Sequence, residues 1–129
     1  MIFILTLIGV AYPCKCVKST LKNNYKKADA VVVSKVLNIY EQAENVIQVE
    51  LEIQNAWKSN LPRTLTIIIE KDSCEYQLKK GEKHLLYLEL LGSGKFTTNN
   101  CRGNLSENKS ARAKKWLRSY AKKSIITSL

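Results

Sequence analysis

The residues of this chain with most chemistry in them are its four cysteines, and their spacing is uneven: Cys14 and Cys16 are one residue apart, whereas Cys74 and Cys101 stand alone. In extended chain alternate side chains point to opposite sides, so Cys14 and Cys16 can both face the body of the protein while Lys15 points away. Disulfides from this pair to Cys74 and Cys101, in either order, would hold one outward residue between two anchors. Chain-entropy reasoning values each such bridge at about 4 kcal/mol. Zinc is the competing chemistry, but structural zinc sites draw ligands as close pairs such as C-x-x-C, a spacing this chain lacks, so disulfides are expected. His84, the only histidine, lies beside Lys83 and has no partner set for a triad or a metal site. Asp29 has no second acid at local spacing, so a hydrogen-bonding role at a strand start is expected of it. The chain reads as non-enzymatic and without a cofactor.

The elements that must position these residues belong to one domain: 129 residues with 45% apolar content suit a single core. Ile2 to Val10 is an apolar run with the length of a signal-peptide core, too short to span a bilayer, so residues 1–13 are expected to be a signal peptide and 14–129 the domain. No Lys or Arg precedes the run, and a buried first strand is the alternative. Export, to the extracellular space or to the periplasm or cell surface of a bacterium, agrees with a disulfide reading of the cysteines. The net charge of +10 predicts affinity for polyanions.

Along the chain, Val17 to Lys27 places Leu21 and Tyr25 four apart, which predicts a short helix. Ala30 to Glu41 is rich in β-branched residues and apolar on both sides at its start, and reads as a long, largely buried strand. Val46 to Trp57 alternates Ile47, Val49, Leu51 and Ile53 with polar residues, the pattern of a half-buried strand. A turn at 59–62, centred on Pro62, leads to a third strand at Thr64 to Glu70. A fourth strand is expected at His84 to Leu91, and Gly92-Ser93-Gly94 turns the chain into a fifth at Lys95 to Asn99. The last segment reads as an amphipathic helix with Ser106 as its N-cap. Ala113, Trp116, Leu117, Tyr120 and Ser124 share one face, and Lys109, Arg112, Lys114, Lys115, Arg118, Lys122 and Lys123 cover the rest. Trp57, Trp116 and Tyr120 are read as packing residues rather than a stacking platform for nucleic acid. These elements fit a mainly β fold: a five-stranded Greek-key barrel of the OB type with a short N-terminal helix and a C-terminal amphipathic helix, a sandwich being the alternative.

In this arrangement the chain resembles the netrin-like modules, and among them the N-terminal domain of the tissue inhibitors of metalloproteinases. The likeness begins at Cys14-Lys15-Cys16-Val17 and continues through Tyr25, Ala28-Asp29-Ala30-Val31 and Lys35. It resumes at Cys74-Glu75-Tyr76, at Leu85 to Thr98 with Cys101 close behind, and at the final helix. The resemblance implies disulfides Cys14–Cys74 and Cys16–Cys101. It also implies inhibition of a zinc metalloprotease, the partner's zinc being chelated by the α-amine and carbonyl of Cys14 as the mature N-terminus. Cys14, Lys15, Cys16 and Val17 would then form the inhibitory ridge, with Lys15 entering the pocket beside the metal. Chelation of this kind uses the position that a catalytic zinc keeps open for water.

The chain departs from that pattern in three places. Lys15 replaces a small hydroxyl residue, Lys18-Ser19-Thr20-Leu21 replaces a stretch bearing proline and histidine, and Lys26 stands where the family has a further cysteine. The small-residue rule places signal cleavage after Ala11, which would leave Tyr12-Pro13 ahead of Cys14 and cover its amine. The alternative function is an extracellular binding module for sulfated glycans or the cell envelope, using Lys109, Lys114, Lys115, Arg118 and Lys122. Nucleic acid and a transmembrane segment are not expected, and the module reads as a monomer. Asn104 and Asn108 open glycosylation sequons.

Overall fold

The computed structural model describes residues 14–127. The signal-peptide run and the Tyr12-Pro13 cleavage question lie outside the described residues. Among the described residues no helix is long and apolar enough to cross a membrane. The elements run α1 (Leu21–Lys27), β1 (Ala30–Ala43), β2 (Val46–Trp57), β3 (Leu61–Pro62), β4 (Thr64–Glu70), β5 (Lys83–Leu90), β6 (Phe96–Thr97), β7 (Leu105–Ser106), α2 (Ala111–Tyr120) and β8 (Ile126–Thr127), with a 3₁₀ turn at Glu107–Lys109 before α2.

Five of these strands close a ring. β1 pairs antiparallel with both β2 and β5, β2 with β4, and β5 with β6, while β4 and β6 pair parallel and complete the circle. Numbering only these five in chain order, the circuit reads first, second, third, fifth, fourth. This is a five-stranded Greek-key barrel of the OB type, closed between β4 and β5 by the two-residue strand β6.

The barrel interior is filled by alternate residues of its strands: Ala30, Val32 and Val36 from β1, Val49, Leu51 and Ile53 from β2, Ile67 and Ile69 from β4, Leu86 and Leu88 from β5. A second core lies outside the wall. There Val31 and Val33 of β1 and Leu85 and Tyr87 of β5 pack beneath Ala113 and Leu117 of α2 and beside Leu21 and Tyr25 of α1. The unbroken apolar start of β1 is thus explained: it is buried on both faces. In β2 the register against β1 steps from Asn55 to Ile53 without using Gln54, a bulge with one extra residue on β2. The inward alternation therefore shifts phase, so that Ala56 continues the barrel core and Trp57 joins the outer one.

Several expectations are corrected. Ser106 precedes the 3₁₀ turn and makes no side-chain cap; α2 begins at Ala111 after Ser110, whose hydroxyl donates to the Glu107 carbonyl instead of capping the helix. With neither a side-chain cap nor an acidic residue in its first turn, α2 is held by packing. Ser124 lies beyond the helix, because the chain leaves it at Ala121 and turns along the barrel. Tyr120 is 76% exposed, on the rim of the apolar face rather than in it. The segment at 59–62 ends in a short strand: β3 pairs parallel with β8, a contact between residues too distant in sequence to register in local pattern.

Candidate functional site

The ridge is built on its partners' loops. Cys14 bonds to Cys74 and Cys16 to Cys101, each with a Cα separation of 5.0 Å, closing loops of 60 and 85 residues. Each distal cysteine sits on the same local device. Asp72 Oδ1 accepts the Cys74 N–H at 2.8 Å, and Asn99 Oδ1 accepts the Cys101 N–H at 2.9 Å, so both cysteines follow an Asx turn. The Asn100 N–H then donates to the Cys74 carbonyl at 2.8 Å and ties the two loops together. Asn104 secures the second loop from behind: its oxygen accepts the Tyr87 N–H at 2.7 Å, and its amide donates to Thr98 Oγ1 at 2.8 Å and to the Asn99 carbonyl at 3.0 Å.

The two bridges stack, with Cys14 Sγ 3.5 Å from Cys101 Sγ. The sulfurs of Cys14, Cys74 and Cys101 lie within 4.8 Å of one another for that reason, and as disulfide sulfurs they are not thiolate ligands for a metal. Cys14 is half-buried, whereas Lys15, Cys16 and Val17 are exposed, Val17 to 90%. The irregular segment at 14–20 thus projects from the barrel while its sulfurs are bound to it.

Helix α1 anchors the chain behind the ridge. Thr20 Oγ1 accepts the Asn23 N–H at 3.1 Å as an N-cap, and Lys26 and Lys27 suit the negative end of the helix dipole. The Lys58 ammonium reaches across from the end of β2 to the carbonyls of Tyr25, Lys26 and Ala28, and lies 4.9 Å from the Tyr25 ring centroid. Gly103, with φ +99, packs so close to Asn24 that a Cβ there would overlap the Asn24 side chain. The loop carrying Cys101 is thereby keyed to α1.

The other candidates fall elsewhere. Asp29 Oδ2 accepts the Leu90 N–H at 2.7 Å, fixing the start of β1. His84 is buried, its Nδ1 2.8 Å from the Tyr76 hydroxyl and its Nε2 3.3 Å from Glu82. Burial, with the Glu82 charge adding to it, pushes the Tyr76 hydroxyl up to about 12. Burial alone takes Tyr87 to about 12. Of the two sequons, Asn108 is exposed, whereas the Asn104 amide is spent on internal bonds.

The basic residues are not one strip. Lys114 and Arg118 line one flank of α2, and Lys109 and Arg112 border a shallow pocket with Ser19 and Leu21. Lys115 and Lys122 are exposed and line neither. The opposite flank of α2 is aromatic: Trp116 sits 5.7 Å from Tyr25 and 5.5 Å from Tyr120, ring centroid to centroid.

Sequence reasoning did not single out Asp72, Asn99, Lys58 or Gly103, and it marked Asn104 only as the start of a sequon. A signal was present for two of them, since Asp-x-Cys and Asn-x-Cys repeat one capping residue two positions ahead of each isolated cysteine. Neither a protein-family model nor a curated protein matches the sequence.

Proposed function

We propose that the chain is an exported, non-enzymatic module of the netrin-like type that inhibits a zinc metalloprotease through its N-terminal ridge. One observation carries this reading: Lys15, Cys16 and Val17 are exposed, yet their segment is bonded to the barrel at two points one residue apart, Cys14 and Cys16. A protease cleft binds extended chain, and a ridge already ordered loses little conformational entropy on docking. With Cys14 as the first residue, its α-amine nitrogen and carbonyl oxygen offer one metal a chelating pair. That pair would displace the water a zinc hydrolase needs. Lys15 would enter the adjoining pocket, and because desolvating an ammonium is costly, it favours proteases whose pocket carries an acidic group.

The decisive measurement is the N-terminal sequence and intact mass of the exported protein, followed by inhibition assays. A chain starting at Cys14 should inhibit, and one added N-terminal alanine should abolish inhibition while leaving the melting temperature unchanged. A chain starting at Tyr12 should not inhibit. Micromolar or tighter zinc-directed inhibition by the Tyr12 form would overturn the mechanism.

A further inference from the structure

Beside α2, on the flank away from the aromatic residues, a cleft of about 390 Å3 is lined by Asn55, Trp57, Lys114, Arg118, Ala121 and Lys123. Its cations come from two separate pieces of chain. Lys114 and Arg118 are one helical turn apart and project from the same side of α2. Lys123 belongs to the segment that leaves the helix, and its backbone is pinned there: Lys123 bridges to Trp57, the Ser124 N–H donates to the Ala56 carbonyl at 2.7 Å, and the Ile125 N–H donates to Asn60 Oδ1 at 2.9 Å. The floor follows from the Gln54 bulge, beyond which Trp57 turns to the outside of the barrel. Trp57, only 3% exposed, is packed into the outer core there.

Three like charges converge on one small volume without a counter-charge. Among the described residues the ion pairs are His84 with Glu82 and Arg102 with Glu89, and neither touches the cleft. Among the described residues no acidic side chain lines it. Convergent cations repel one another unless an anion lies between them, and a low-dielectric wall strengthens both effects.

We propose that this cleft binds a sulfate ester of an acidic polysaccharide, with Lys114, Arg118 and Lys123 on the ester oxygens, the Asn55 amide as a neutral donor, and Trp57 beneath them. The chemistry favours a saccharide over a nucleic acid. The aromatic residue that lines the cleft is Trp57, and at 3% exposure it offers too little ring surface for a base to stack on. A chain held by two disulfides suits oxidising compartments, where acidic polysaccharides are the abundant polyanions. This site is separate from the ridge and does not depend on zinc chelation.

The test is binding of a heparin-type octasaccharide to the full, oxidised protein, compared between two triple variants of equal charge change. Lys114→Gln, Arg118→Gln and Lys123→Gln together should weaken binding about 30-fold, the sum of three partly exposed ionic contacts. Lys22→Gln, Lys26→Gln and Lys27→Gln on α1 should weaken it less than about 3-fold, as a general field effect. In the unmutated protein, the octasaccharide should shift the Asn55 side-chain amide and Trp57 indole N–H resonances, whatever the variants' stability. Equal losses in the two variants, or unmoved Asn55 and Trp57 signals at saturation, would overturn the site. Equally tight binding of a single-stranded oligothymidylate of matched charge would overturn the assignment to a sulfated saccharide.

Discussion

The ridge at Cys14–Val17 and the cleft beside α2 both present cations to solvent, but they are held in place by different means. At the ridge, two covalent bonds and a pair of Asx turns position a segment with almost no burial. At the cleft, backbone pairing of the segment after α2 and packing of Ala113 and Leu117 position the side chains, with no cross-link. A short segment beyond the first element of a small domain has too little apolar area to order itself, so it takes chemistry to fix it. A helix with one buried stripe can rely on the hydrophobic effect. The two surfaces should therefore fail under different insults.

Reduction makes the largest difference. Opening both bridges should remove about 4 kcal/mol of stability per bridge by chain entropy. It should abolish ridge-dependent inhibition. Wherever calorimetry shows the reduced protein still folded, octasaccharide binding should persist, and loss of both activities together in a folded, reduced sample would erase the contrast.

Leu117→Ala attacks the other side. Leu117 is fully buried on the inner face of α2, and its truncation should cost about 3 kcal/mol by denaturant titration. Octasaccharide binding should weaken, while the disulfides and any inhibition survive.

The contrast also has a pH signature. Tyr76 and Tyr87 both ionise near 12 in the folded protein against an ordinary value near 10. A raised folded value means that the neutral form is favoured by folding. The contribution is therefore full below pH 10 and is lost as pH rises through about 12. The Tyr87 hydroxyl, under α2, is buried without a hydrogen-bond partner among the described residues. Tyr87→Phe should be nearly neutral at pH 7 and should reduce the alkaline loss by the share belonging to the cleft side, leaving that of Tyr76 near the Cys74 loop.

Gly103→Ala acts on the ridge side alone. A side chain at φ +99, overlapping Asn24, should cost about 2 kcal/mol and loosen α1 against the Cys101 loop, with octasaccharide affinity unchanged.

Much of this architecture is legible in sequence. The alternation at Val46–Trp57 and the run at Thr64–Glu70 give β2 and β4 with their observed bounds, because their side chains record which face is wet. The start of β1 shows its two-sided burial directly in Val31-Val32-Val33. What escapes is non-local or one residue in size. β3 and β8 have two residues each and exist only by pairing with one another. The Gln54 bulge changes no composition. The cleft needs Lys123 beside Arg118, a juxtaposition that a helix continued to Ser124 hides. At the ridge, spacing pointed to the residues, while the Asx turns that aim the distal cysteines lay in plain view at Asp72 and Asn99.

The extra residue in β2 divides the strand into two halves of opposite facing. Upstream of it, odd-numbered positions fill the barrel; downstream, they decorate the exterior. One strand thus writes two inventories in a single alternating script, with Gln54 as the change of key. Variation at Val49, Leu51 or Ile53 can retune the interior without disturbing Asn55 or Trp57. A relative lacking that one residue would keep the ring and show an unrelated outer wall.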